Sequence, residues 1–173
     1  TPTAESGIAD HVFGKINSKV TLIEYGDYQC PGCGTFHTNF SPIMDDYKDK
    51  ITFVFRNFPI TQIHPNARAA AASAEAAGLQ GKFWEMHDKI FEGQKTWERT
   101  TDPQSYFDQY AQSIGLDMEK FKADRISSSV NDVVNKDLKD VQALGGTGTP
   151  TFAINGKKVE NPGPTAEKIK KPP

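Results

Sequence analysis

Two short runs combine β-branched, apolar and aromatic residues with little polar interruption: VTLIEY, Val20 to Tyr25, and ITFVFRNF, Ile51 to Phe58. Both read as strands, the first largely buried and bounded by Asn17, Ser18 and Gly26. Between them, from Pro31 to about Tyr47, Phe36, Phe40, Ile43, Met44 and Tyr47 recur at helical spacing and predict an amphipathic helix. Pro42 is expected to kink it.

The middle of the chain changes character. Ala67 to Ala77 is a run of strong helix formers, and Phe83, Met86, His87, Ile90 and Phe91 then fall on one helical face. Pro103 to Gly115 predicts a third helix, opened by proline and closed by glycine. A short helix around Met118 to Ala123 follows. A longer one, Ser128 to Leu144, carries Val130, Val133, Val134, Leu138, Val141 and Leu144 in register. After GGTGTP comes the strand TFAI, Thr151 to Ile154, then an Asn155-Gly156 turn and KKV, a strong hairpin signal. A final short helical segment is expected near Ala166 to Lys170.

This order predicts an α/β protein: one mixed sheet flanked by helices, with an inserted all-helical subdomain. Residues 1–63 would form a small polar arm and the first part of the sheet domain, 64–140 the helical insert, and 141–173 the second part of the sheet domain.

With 20 basic against 22 acidic residues among 173, the net charge of −2 gives no electrostatic footprint for nucleic acid or an anionic membrane. No apolar run approaches a membrane span, and nothing resembles a signal peptide. The chain opens TPTAESG without an initiator Met, so a processed or excised piece is expected.

The chemistry concentrates at GDYQCPGCGTFH, which holds both cysteines, Cys30 and Cys33, at a strand–helix junction. A thiolate there faces the unpaired N–H groups and positive dipole end of the first helical turn, which lowers its pKa. Pro31 fits the first helical position, and Cys33 stands one turn in, placed to close a small disulfide. A zinc site would need two further ligands, and no second Cys pair exists; His37 and His64 offer nitrogens, but His37 on the same helix reads more simply as a boundary residue. A staple across so short a loop would stabilise less than a longer closure. The redox reading is preferred, and no metal is expected.

Glu24, on the strand leading into the pair, is either a solvent-facing residue or a buried carboxylate able to move protons during exchange. Thr149-Pro150 directly precedes a strand, but pattern alone does not make its peptide bond cis. The GGTG before it lacks the following Gly-Lys-Ser/Thr of a phosphate-binding loop. The aromatic and Met residues of the middle read as core that could also wall the site. His11, His64 and His87 show no pairing that lifts them above structural or surface roles.

Taken together, VTLIEYGDYQCPGC, FRNFP, HPNARAAAASAEAAGLQGKFWEMHDKIF and GTGTPTFAINGK resemble the DsbA-like thiol:disulfide oxidoreductases, a thioredoxin-fold family with an inserted helical domain, and most of all its bacterial extracytoplasmic members. The resemblance implies that Cys30 is the exposed nucleophile and Cys33 the resolving thiol. Pro31 and Gly32 would help set the redox potential, and Glu24 would be the buried acid. Pro150 would be a cis proline beside the disulfide, and Thr149 would pair its backbone with substrate. No cofactor is implied beyond the Cys30–Cys33 disulfide. The implied partners are unfolded or partly folded proteins with free cysteines and a membrane or soluble partner that reoxidises the site. The implied location is extracytoplasmic, with a removed or excluded N-terminal signal or anchor. The direction of electron flow stays open between oxidase and reductase or isomerase, with a redox-inert binding module as the reading of another class. The ending NPGPTAEKIKKPP departs from the family pattern, leaving barely two turns where a full helix is expected.

Overall fold

The computed structural model describes residues 7–160. The segment expected to be helical near Ala166 to Lys170 lies outside them. In chain order the elements are β1 (His11–Gly14), β2 (Thr21–Gly26), α1 (Pro31–Tyr47), β3 (Thr52–Asn57), α2 (Ala67–Gly78), α3 (Phe83–Glu92), α4 (Gln94–Trp97), α5 (Pro103–Ser113), α6 (Met118–Asp124), α7 (Ser128–Leu144), β4 (Thr151–Ile154) and β5 (Lys157–Val159). The strands form one mixed sheet in the order β1-β3-β2-β4-β5, in which only β2 and β3 run parallel. This is a thioredoxin-like sheet with the helices α2 to α6 placed between β3 and α7. No helix among the described residues is long and apolar enough to cross a membrane.

The central strand explains the layering. Successive side chains of β2 point to opposite faces. Leu22 packs with Phe36, Phe53, Phe55 and Phe152 in the main core, whereas Ile23 and Tyr25 join Phe58 and Val141 under α7. Both faces are therefore covered, and Glu24, flanked in register by Phe55 of β3 and Phe152 of β4, is shut inside. The helix α1 runs unbroken through Pro42, which forfeits only one backbone bond near the helix end. α7 continues through residue 140, and its buried Asp137 accepts from the backbone N and Nδ2 of Asn57 at 2.9 Å each, tying it to β3.

Two elements differ from expectation. The supposed polar arm is anchored where it is described: Ile8 is buried, and Asp10 makes a bidentate pair with Arg56 at 3.0 and 2.9 Å. It leads into β1, an edge strand too short to show a period. The histidines also have partners that sequence distance conceals. His11 meets Glu75 at 2.7 Å, His64 meets Asp27 at 2.7 Å and Tyr28 Oη meets His87 Nδ1 at 2.9 Å.

Candidate active site

Cys30 is the N-cap of α1, with φ −69° and ψ 125°, and Pro31 occupies the first turn, where its missing N–H costs no bond. The thiol of Cys30 donates to the carbonyl of Thr149 at 3.6 Å, and the Thr149-Pro150 peptide bond is cis. A Cβ on Gly32 would stand 3.5 Å from Pro150 Cδ, so the Pro31-Gly32 loop and the Pro150 loop face each other across the sulfur. Cys30 consequently keeps only 9% exposure and Cys33 none. The expected exposed nucleophile is thus a narrowly accessible one, because the Thr149 carbonyl and the neighbouring loop cover it.

The two thiols are driven apart in acidity. Cys30 is lowered to about 5, first by the hydrogen bond from the Cys33 thiol; the Thr149 side chain and the backbone N–H groups of Gly32 and Cys33 add to this, while burial opposes it. Cys33 is pushed well up, first by burial, then by its bond to Cys30 and the nearby charges of Glu24 and Cys30; the Asp27 N–H, 3.4 Å from its sulfur, opposes this weakly. Glu24 is raised well above the usual carboxylate range, by burial first and by the charge on Cys30 second, and its Oε1 has no hydrogen-bond partner. One sulfur is therefore ready as thiolate, the other holds its proton, and a carboxyl that favours its own proton lies inside the same sheet.

Four residues that sequence reasoning passed over hold this arrangement. Asp27 Oδ1 accepts from the Gln29 N–H at 2.8 Å, while Oδ2 takes the Ile60 N–H at 2.8 Å and His64 Nδ1 at 2.7 Å. Gln29 accepts from Asn66 N at 2.8 Å and donates to the Glu98 carbonyl at 2.7 Å. From the helical insert, buried Gln94 donates to the carbonyls of Tyr28 at 2.7 Å and Cys30 at 2.9 Å. Gly34 makes room for it, since a Cβ there would collide with Gln94 Oε1. The insert thus grips the loop that carries the nucleophile. The one local signal was Asp27, a short acceptor placed where a strand turns into a helix.

A family model described as Thioredoxin matches residues 6–171. The crystal structure of oxidised BdbD from Bacillus subtilis superposes with a TM-score of 0.78 at 30% identity, covering 92% of this chain and 88% of that one. The chain belongs to the DsbA-like thiol–disulfide oxidoreductases. A thioredoxin-like oxidoreductase from Silicibacter pomeroyi is a second structural neighbour, with TM-score 0.75, 26% identity and coverage of 88% and 83%. In sequence, the chain is 37% identical over 163 residues to the Na(+)/H(+) antiporter NhaA 1 of Mycolicibacterium gilvum. That match takes in 93% of this chain but 26% of the antiporter, so the chain spans about a quarter of the length of that relative.

Proposed function

We propose that this DsbA-like chain is an extracytoplasmic thiol oxidant that donates its Cys30–Cys33 disulfide to substrate proteins. A substrate thiolate attacks Cys30 Sγ, the Cys30–Cys33 bond breaks, and the Cys33 sulfur leaves and takes a proton, with Glu24 as the buried donor. A second substrate thiolate then attacks the substrate sulfur of the mixed disulfide and expels Cys30 as thiolate. Two electrons pass from substrate to protein, and a membrane or soluble partner removes them.

The observation that carries this reading is the placement of Cys30 at the N-cap of α1, where the Cys33 thiol, the Thr149 side chain and the N–H groups of Gly32 and Cys33 hold its thiolate and lower its pKa to about 5. A thiol of low pKa is a good leaving group, and a stabilised thiolate favours the reduced protein, which makes the disulfide oxidising. Such chemistry belongs where substrates require disulfides, outside the reducing cytoplasm. The narrow exposure of Cys30 beside the Thr149 carbonyl suits an extended chain that offers its thiol edge-on.

The test mixes the oxidised protein with a reduced, unfolded protein containing several cysteines. Wild type should transfer its disulfide stoichiometrically, Cys30→Ser should transfer nothing, and reduced Cys33→Ser should accumulate mixed disulfides with disulfide-bearing chains. Disulfide reduction without oxidation would make the protein a reductase. Inertness towards both classes of substrate would leave a binding module.

A further inference from the structure

We propose that His37, His87 and Asp88 form a binding site for a divalent transition-metal cation of the zinc class, in a cleft lined by α1, α3 and the sheet. Among the described residues these are the ones that gather three candidate ligands: one nitrogen of each ring and one Asp88 oxygen all lie within 4.8 Å of one another. Tetrahedral zinc, with bonds of about 2.0 to 2.2 Å, places its ligand atoms roughly 3.3 Å apart. His37 Nε2 and Asp88 Oδ1 already stand at 3.7 Å, so closure asks for side-chain rotation rather than backbone movement. Asp88 is free to supply it, because its side chain is 48% exposed on α3.

The surroundings favour a cation. The cleft, about 230 Å³, is lined by His37, His87 and the carboxylates Glu24, Asp45 and Asp88, with no Lys or Arg in its wall. Two imidazoles and a carboxylate are the donor set of zinc sites that keep a position open for water. His87 is also preset: its Nδ1 is held by Tyr28 Oη at 2.9 Å, which leaves Nε2 as the free ring atom. Metal at Nε2 leaves the proton on Nδ1, donated to Tyr28, the outer bond that orients a ligating imidazole. The sequence offered none of this, because His37 lies on α1 and its partners lie on α3.

The test titrates Zn2+ into metal-stripped Cys30→Ser/Cys33→Ser protein by calorimetry, so that thiolates cannot be the ligands, and repeats it in the same background with His37→Phe and with Asp88→Asn. Both residues sit at the cleft wall, so both variants should keep the wild-type circular dichroism, unlike a change at buried His87. One equivalent should bind, and each variant should weaken binding by about 100-fold or more; Tyr28→Phe should weaken it by about 10- to 100-fold, as loss of an outer partner does. The absence of saturable binding, or binding that survives intact in either cleft variant, would overturn the assignment. Neither result bears on disulfide transfer, which is assayed without added metal.

Discussion

The acidity of Cys30 makes the stability of the protein depend on pH differently in its two redox forms. In the dithiol form Cys30 titrates at about 5 when folded and near 8.5 when unfolded. At pH 7 the two units between the pH and the folded value correspond to about 2.7 kcal/mol, or roughly 1.5 to 2.5 kcal/mol after allowance for partial solvent screening of the sulfur. The folded pKa is lowered, so this contribution is complete above the unfolded value and disappears as pH falls through about 5. The disulfide form has no such group. It gains instead from a small closed loop, which the chain-entropy estimate sets at roughly 2 kcal/mol at every pH. The oxidised form should therefore lead by about 2 kcal/mol at pH 4, and the gap should close by pH 7 and invert near pH 8. Above the unfolded thiol value the raised pKa of Cys33 works in the opposite sense, so the advantage of the reduced form stops growing there. Urea melts of both forms from pH 4 to 8, with the redox state verified by mass spectrometry, measure the gap directly. A gap that stays constant over that range would refute the argument, because it would mean that folding does not stabilise the Cys30 thiolate.

Three further substitutions probe separate parts of the structure. Glu24→Gln removes a buried carboxyl whose Oε1 has no partner. It should slow thiol exchange at pH 7 in stopped-flow by about 100-fold, the lower range for a positioned acid–base group, and unchanged rates would leave Glu24 without a proton role. Gln94→Ala takes the side-chain donor away from the Tyr28 and Cys30 carbonyls. It should cost about 1 to 3 kcal/mol of stability and also raise the Cys30 pKa in an ultraviolet thiolate titration, a shift that a purely structural role would not produce. Asp137, raised to about 7 chiefly by burial, stabilises the fold below its unfolded value near 3.8 and loses that contribution as pH rises through the folded one. Asp137→Asn keeps an oxygen for the two Asn57 bonds, so it should be more stable than wild type at pH 8 by about 4 kcal/mol and indistinguishable from it near pH 4 in urea melts.

Much of this architecture is legible in the chain because its main elements carry clear periods. The stripes of α1, α3 and α7 match their buried faces, and Asn155, in the left-handed region with φ 49°, and Gly156 with φ 83° turn the hairpin as their residue types require. Glu24 was ambiguous for a physical reason. A strand covered on both faces loses the alternation that separates inside from outside, and β2 is covered by α1 and α7 alike. The short elements β1 and α4 span less than the window in which a period can be seen. The clamps on the cysteine loop were hidden for another reason. Asp27 meets His64, and Gln94 meets Cys30, across 37 and 64 residues of chain, and only the folded topology brings them together.

The central claim is the direction of electron flow, and the equilibrium of the Cys30–Cys33 pair with glutathione tests it most directly. Lowering the Cys30 pKa to about 5, against roughly 7 in thioredoxin, corresponds to a potential about 60 mV above thioredoxin's −270 mV. A measured value near or above about −200 mV is the predicted result. A value at or below about −270 mV would contradict the account and make this chain a reductant.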